Sequence, residues 1–95
     1  MKRPCVYLLA SKRNGTLYVG VTSGLANRIA LHRDDVIAGF TRRYGVHRLV
    51  WFEEFEDMPG AIRREKQIKK WDRAWKLRLI EEGNPGWRDL WEEIV

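Results

Sequence analysis

Two short apolar runs on either side of an Asn-Gly pair constrain the fold of this chain most strongly. The runs, residues 5–10 and 17–21, have strand length, and Asn14-Gly15 supplies the two positive-φ positions that a tight hairpin turn favours. A two-residue loop at that pair places Tyr7 opposite Thr22, with Tyr7 and Tyr18 on one face, roughly 13 Å apart. A bulge or a wider loop would bring the two phenols closer.

The rest of the chain predicts one more strand and several helices. Thr22 and Ser23 offer N-cap hydroxyls for a helix over about 24–33, and a basic, glycine-punctuated connection over 38–47 leads to a strand at 48–55. Asp57 and Asp72 are cap candidates for helices over about 59–70 and 73–82, and residues 87–95 suggest a last short helix. The order β-β-α-β-α-α predicts a small α/β (α+β) domain with a largely antiparallel sheet covered by helices.

Composition limits the classes of protein to be considered. Ninety-five residues make one domain, 1–95, and five tryptophans are assigned mostly to its core. The formal charge of +5 makes a polyanionic partner plausible. The single cysteine, Cys5, excludes an intramolecular disulfide and argues against a cysteine-based zinc site, which fits a reducing, cytoplasmic setting. No apolar run approaches the length of a signal peptide or a membrane span.

Four polar side chains near the N-terminus are candidates for chemistry. Arg28 and His32, at i and i+4, are neighbours on one helical face that begins just after the strand bearing Tyr18. Arginine is a bidentate phosphate ligand, and histidine transfers protons near neutral pH. The plainer alternatives are a solvated basic face for Arg28 and His32 and ordinary core packing for Tyr7 and Tyr18.

Glu65 is the most informative single residue of the C-terminal half. Ala61, Ile62 and Ile68 form the apolar stripe of its predicted helix, and Glu65 lies inside that stripe. Burying an unpaired carboxylate there would cost several kcal/mol. One alternative is an ion pair with Lys69, worth roughly 0.2–0.5 kcal/mol. The other is a carboxylate that faces a polar cleft and holds Mg²⁺, which needs few protein ligands.

Together these residues resemble the GIY-YIG nuclease superfamily. The similarity lies in five sequence motifs: "CVY" at 5–7, "YVG" at 18–20, "NRIALH" at 27–32, "AIRREKQIKKW" at 61–71 and "NPGWRDLW" at 84–91. The match is nearest to small stand-alone bacterial proteins of this type, related to the catalytic N-terminal domain of the excinuclease C subunit. Cys5 and Val6 replace glycine and isoleucine in the first motif, and every polar motif position is retained.

The resemblance implies a metal-dependent endonuclease that hydrolyses DNA, in repair or recombination, on a three-stranded antiparallel sheet flanked by helices. The implied site consists of Tyr7, Tyr18, Arg28, His32, Glu65 and Asn84. Glu65 would hold Mg²⁺ or Mn²⁺, Arg28 would clamp the phosphate, and Tyr7 would activate water with neutral His32 relaying the proton. Tyr18 would orient the water or phosphate, and the two tyrosines' roles are exchangeable. Asn84 would position the phosphate or support the cleft, although its place before Pro85 also suits a plain turn.

The implied partner is DNA, with RNA left open, and we expect no involvement of a membrane. The candidate docking residues are Arg42, Arg43, Tyr44, His47, Lys69 and Lys70, for which a solvated basic loop is the plain alternative. Specificity would come from DNA shape or from a protein partner, and monomer and weak homodimer both remain open. The competing functions are a non-catalytic nucleic-acid-binding module and a protein-interaction domain using exposed tryptophans.

Overall fold

The computed structural model describes residues 3–34 and 39–95. Its strands are β1 (Cys5–Ala10), β2 (Leu17–Thr22) and β3 (Arg48–Glu54). Its helices are α1 (Leu25–Arg33), α2 (Phe40–Tyr44), α3 (Met58–Lys70), α4 (Arg73–Gly83) and α5 (Trp91–Ile94). The predicted fold class and element order are confirmed, and α2 is an addition, because its segment was expected to be irregular.

The three strands form one antiparallel sheet in the order β2-β1-β3. The central strand β1 is buried along its whole length, which explains its unbroken apolar sequence. Val6, Leu8 and Ala10 face a core that includes Ala61 and Ile68 of α3, with Ile80 of α4 in the same core. Tyr7 and Leu9 face the opposite core, where Ile29 of α1 packs. The sheet is therefore covered by helices on both faces, and Tyr7 lies on the face of α1.

The hairpin turn lies one residue earlier than the sequence suggested. The backbone amide of Gly15 donates to the carbonyl of Lys12 at 2.9 Å, so Arg13 and Asn14 are the central residues. Only Asn14 has a positive φ, 58°, whereas Gly15 is needed because a Cβ there would collide with the Ser11 side chain. The predicted turn at Asn14-Gly15 was therefore wrong by one residue. Position 15 is glycine because of close packing and not because of a positive φ.

This shift moves every pair in the hairpin by two residues. Tyr7 lies opposite Gly20, and Cys5 lies opposite Thr22, in place of the expected Tyr7–Thr22 pair. Tyr18 is opposite Leu9 and is therefore a diagonal neighbour of Tyr7 on the same face. The ring centroids of the two tyrosines are 6.3 Å apart, well below the separation expected from a turn at Asn14-Gly15.

The helix starts agree with the sequence in two of three cases. Asp57 accepts a hydrogen bond from the Gly60 amide at the start of α3, and Asp72 accepts one from the Trp75 amide at the start of α4. At α1 the N-cap is Gly24, without a side-chain cap. The Thr22 hydroxyl accepts from the Gly24 amide and so shapes the turn before the helix, which corrects the predicted Thr22 or Ser23 cap.

The tryptophans divide unevenly between core and surface. Trp87 is fully buried, and Trp51, Trp71 and Trp91 are partly buried. Trp75 is 60% exposed, so the assignment of the tryptophans to the core fails for this residue. Across residues 3–34 and 39–95, no helix is long and apolar enough to cross a membrane.

Candidate active site

A buried hydrogen bond between Tyr7 and His32 lies at the centre of the site. The Tyr7 hydroxyl is 3.1 Å from Nε2 of His32, and the two residues are 1% and 2% exposed. Tyr7 is held by its position in the central strand, and His32 lies in the last turn of α1, which packs on the same face of the sheet. His32 is therefore not part of a solvated basic face, which was the plain alternative.

Tyr18 completes a compact group of three rings, Tyr7, Tyr18 and His32, which we call the tyrosine–histidine cluster. The Tyr18 ring centroid lies 5.7 Å from that of His32 and 6.3 Å from that of Tyr7. Tyr18 is only partly buried, since it belongs to the edge strand β2. Its other ring neighbour is Phe40 of α2, which is stacked at 6.3 Å and is 46% exposed.

Gly20 makes room for this cluster. A Cβ added at Gly20 would lie far inside van der Waals contact with the Tyr7 ring and its hydroxyl. Tyr7 therefore crosses the β2 backbone at a position that tolerates no side chain. The glycine of the Tyr-x-Gly motif is explained by this packing, since Gly20 has no positive φ.

Burial and neighbouring charges disfavour the phenolate form of Tyr7. Desolvation raises the pKa of the Tyr7 phenol well above its ordinary value, and Tyr18 and Glu65 raise it further. The Arg28 guanidinium lowers this pKa, but burial outweighs it. Both Arg28 and Glu65 therefore lie within electrostatic reach of the Tyr7 hydroxyl, although they belong to helices on different faces of the sheet.

His32 is held in its neutral form. Burial lowers the pKa of its imidazole, and the charges of Arg28 and His47 lower it further. A neutral imidazole carries one N–H donor and one bare nitrogen, so it can accept a proton. This state agrees with the neutral relay proposed for His32 on the sequence.

Glu65 is partly buried and ion-paired. Its side chain is 12% exposed, and its Oε2 atom lies 2.9 Å from Nζ of Lys69. Ala61 and Ile68 of the predicted apolar stripe are buried, whereas Ile62 is 37% exposed, so the stripe is narrower than expected. The ion pair with Lys69 that the sequence allowed is therefore present.

Glu65 is a candidate to hold a cation as the one carboxylate ligand, without a closed metal cage. Within residues 3–34 and 39–95, no three His, Cys, Asp or Glu side chains are grouped as metal ligands. A single carboxylate suits Mg²⁺, which keeps most of its waters and takes further oxygen ligands from a phosphate. The charge of Glu65 also acts on Tyr7, which makes this carboxylate the candidate for holding such an ion.

Asn84 is 5% exposed, and its side chain is bonded to the backbone. Its Nδ2 donates to the carbonyls of Val50 and Arg88, at 3.2 and 2.9 Å, and its Oδ1 accepts from the Arg88 amide at 3.1 Å. These bonds join the end of α4 to β3 and shape the following turn. The contacts match turn chemistry and support of the fold, and they do not bring Asn84 together with the tyrosine–histidine cluster.

The predicted docking residues lie partly around α2 and partly on α3. Arg42, Arg43 and Tyr44 are exposed, and the Arg43 guanidinium lies 5.6 Å from the centroid of the Tyr44 ring. The Tyr44 ring is in turn 4.8 Å from that of Phe40, which contacts Tyr18. His47 is partly buried, whereas Lys69 and Lys70 are exposed at the end of α3. Ala38, the first residue of the predicted connection, lies outside the described residues.

Two residues of α2 were missed by the sequence reasoning. Phe40 stacks on Tyr18, and the Thr41 hydroxyl lies 3.1 Å from Nδ1 of His32. Neither residue belongs to a motif, and their segment was interpreted as an irregular loop. The sequence offered one indication for Phe40, since it is an apolar residue between Gly39 and two arginines. It offered no indication that Thr41 contacts the site.

Comparison with known proteins agrees with this geometry. The model of the GIY-YIG catalytic domain matches residues 3–78. A UPF0213 protein of Clostridium perfringens is 44% identical over 75 residues, which are 79% of this chain and 80% of that protein. A UPF0213 protein of Staphylococcus haemolyticus is 38% identical over 82 residues, 86% of this chain and 99% of that protein.

A solved structure shows the same fold. The solution NMR structure of a UPF0213 protein from Bacillus halodurans has a TM-score of 0.57 and 29% identity, and covers 92% of both chains. This chain spans 80% and 99% of the lengths of these two relatives, so they are short proteins as well. These matches confirm the resemblance drawn from the motifs: the chain belongs to the GIY-YIG catalytic-domain family, a nuclease family.

Proposed function

We propose that this protein is a metal-dependent endonuclease that hydrolyses DNA phosphodiester bonds at the tyrosine–histidine cluster. The observation that carries the proposal is the buried bond between the Tyr7 hydroxyl and Nε2 of His32, 3.1 Å long. A structural role alone does not require a phenol and an imidazole to be buried against each other, with a glycine opposite to admit the ring. Membership of the nuclease family supports the same conclusion.

Tyr7 can act as the base only if its phenolic proton leaves as the phenol oxygen takes a proton from water. The raised pKa of its phenol leaves almost no phenolate at neutral pH. Neutral His32 is hydrogen-bonded to that hydroxyl and can receive the phenolic proton as Tyr7 takes a proton from water. The attacking oxygen forms a bond to phosphorus while the bond to the 3′ oxygen breaks.

Arg28 and Tyr18 orient the reacting groups. Arg28 places a positive charge near the Tyr7 hydroxyl, where a phosphate oxygen gains negative charge in the transition state. Tyr18 packs beside Tyr7 and is more exposed, so its hydroxyl is suited to orienting the water or the phosphate. Asn84 supports this arrangement from the fold, through its bonds to β3 and to the turn after α4.

Glu65 is the proposed metal ligand. When bound, a divalent cation such as Mg²⁺ or Mn²⁺ neutralises phosphate charge and stabilises the leaving oxygen. In the structure the Glu65 carboxylate is paired with the Lys69 ammonium, at 2.9 Å. A cation bound there would compete with Lys69 for the carboxylate, and a displaced Lys69 ammonium could contact a phosphate instead.

DNA would approach the site past α2. Arg42 and Arg43 are exposed beside the Phe40 and Tyr44 rings, and this surface leads to Tyr18. Arginine side chains bind phosphates, and exposed aromatic rings contact bases. Lys69 and Lys70 extend the positive charge along α3.

The test is cleavage of plasmid, branched and single-stranded DNA with Mg²⁺ or Mn²⁺, comparing wild type with Glu65→Gln. We expect wild-type cleavage that disappears with a chelator and falls at least about 100-fold in Glu65→Gln. Glu82→Gln is the matched control, since Glu82 is an exposed carboxylate on α4 and should leave the rate unchanged. Cleavage that persists undiminished in Glu65→Gln would refute the metal assignment. Binding without cleavage of any substrate would identify a nucleic-acid-binding module instead.

A further inference from the structure

Thr41 is buried against the nitrogen of His32 that faces away from Tyr7. Its side-chain oxygen lies 3.1 Å from Nδ1 of His32, and the residue is 3% exposed. The backbone holds it in place, because the Thr41 carbonyl accepts from the amide of Val46, which is fully buried. Both nitrogens of the imidazole therefore have a hydroxyl partner, Tyr7 on one side and Thr41 on the other.

A neutral imidazole between two hydroxyl groups can be hydrogen-bonded in two directions. In the first, Tyr7 donates to a bare Nε2, and Nδ1–H donates to the Thr41 oxygen. In the second, Thr41 donates to a bare Nδ1, and Nε2–H donates to the Tyr7 oxygen. The two differ in which nitrogen can accept a proton, and therefore in whether His32 can relieve Tyr7 of one.

We propose that Thr41 is a positioning residue that accepts the hydrogen bond from Nδ1–H of His32 and so keeps Nε2 bare towards Tyr7. This inference rests on the proposed function for its catalytic meaning, whereas the tautomer itself is a property of the folded chain. Asp, Asn and backbone carbonyls often hold a histidine in this way, and here a buried threonine takes that position.

The tautomer matters because the proton transfers must balance. As the water oxygen bonds to phosphorus, a water proton moves to the Tyr7 oxygen and the phenolic proton moves to Nε2 of His32. The bond from phosphorus to the 3′ oxygen breaks, and that oxygen takes a proton from solvent. His32 is then an imidazolium with both N–H groups bonded, and it returns its extra proton to solvent. With Nε2 already protonated, the second transfer has no acceptor.

The groups around His32 disfavour its protonated form, so an imidazolium formed during the reaction would be short-lived. Tyr7 on β1 and Tyr18 on β2 contact the ring, Thr41 on α2 bonds to it, and the charges of Arg28 and His47 oppose its protonation. Glu65 on α3 acts on the same site through Tyr7. The repulsion from Arg28 promotes release of the proton after each turnover.

The direct test is the ¹⁵N spectrum of the His32 ring in the free protein, at a pH above the pKa of the imidazole. We expect a protonated Nδ1 and a bare Nε2 in wild type and in Thr41→Ser, which keeps the hydroxyl. Thr41→Val has nearly the same shape without the oxygen, and its ring should shift towards the Nε2–H form. A wild-type spectrum showing the Nε2–H tautomer or an even mixture would overturn the proposal, even if Thr41→Val does not fold.

Cleavage kinetics then test whether Thr41 contributes to catalysis by positioning His32. In Thr41→Val we expect kcat to fall about 10- to 100-fold, with KM nearly unchanged and an altered pH profile, whereas Thr41→Ser stays near wild type. A wild-type rate in folded Thr41→Val would contradict the positioning role. A wild-type protein that cleaves no DNA would instead refute the proposed function, while the ring spectrum would still decide the tautomer.

Discussion

At the scale of single residues, Gly20 and Tyr7 depend on each other. The Tyr7 ring and hydroxyl occupy the space that a side chain at position 20 would need. The hydroxyl then reaches His32, which is itself buried. A residue with no functional group thus determines where the Tyr7 hydroxyl lies.

Gly20→Ala should therefore damage both stability and activity. The new methyl group displaces the Tyr7 ring, and overpacking of this kind costs about 1–3 kcal/mol in the free energy of unfolding. Urea unfolding measures the cost, and cleavage under conditions where the variant is folded measures the displacement of the hydroxyl. Gly83→Ala is the matched control, because nothing lies within 4 Å of its Cβ and it ends a helix. An unchanged stability and rate in Gly20→Ala would contradict the packing.

His32 should make the protein less stable in mild acid. Its pKa is lowered on folding, so the unfolded chain binds the proton more readily, and stability rises with pH across this range. The loss begins as pH falls through the ordinary histidine value of about 6.5 and continues down to the lowered folded value. We expect the free energy of unfolding to fall more steeply below pH 7 in wild type than in His32→Gln. Parallel pH curves would show that His32 is not held neutral by burial.

The candidate site could be predicted from the sequence to different degrees at different residues. Tyr7, Tyr18 and His32 were found because their motifs have fixed spacing, and the structure brings the three together. Thr41 could not be found, because its contact with His32 joins two separate helices and a lone threonine carries no pattern. Asn84 fitted a motif, but its bonds reach only the backbone.

At the scale of elements, the hairpin turn decides whether the two tyrosines meet. The sequence predicted the strands, their shared face and the turn region. It did not give the register, because Asn14-Gly15 suits a turn at its own position, whereas the close approach of Gly15 to Ser11 favours the turn one residue earlier. That single step brings Tyr18 two residues closer to Tyr7 along the sheet.

The positive φ of Asn14 offers a test of this turn. Asn14→Gly should leave the free energy of unfolding nearly unchanged, because glycine adopts φ 58° without strain. Asn14→Ala should cost about 1 kcal/mol, since a Cβ is disfavoured in the left-handed region. Denaturant unfolding of the two variants measures the difference. Equal stabilities would contradict a turn with Arg13 and Asn14 at its centre.

At the scale of the whole molecule, the chain carries a net charge of +5, and four of its basic residues are candidates for contacting a polyanion. Arg42 and Arg43 lie beside the aromatic rings that lead to Tyr18, and Lys69 and Lys70 lie near Glu65 on α3. The chain belongs to a nuclease family. The positions of these basic residues are the basis for the proposed direction of DNA approach.

Arg43→Ala should weaken DNA binding and reduce its salt dependence. Loss of one phosphate contact lowers the slope of log K against log salt by about 1, with little dependence on sequence. Arg78→Ala removes the same charge from α4, beside Trp71 and Trp75, and is the matched control. Equal losses in the two variants would show that net charge, and not the surface at α2, governs binding.

The role of the Tyr7 hydroxyl is tested most directly by the single-turnover rate of DNA cleavage by Tyr7→Phe. This change removes only the hydroxyl bonded to His32, and the ring remains packed against Gly20. We expect a rate at least about 100-fold below wild type, with a folded protein, whereas Thr16→Val, which removes an exposed hydroxyl from the hairpin, cleaves like wild type. Cleavage by Tyr7→Phe at the wild-type rate would contradict a role of this hydroxyl in activating water.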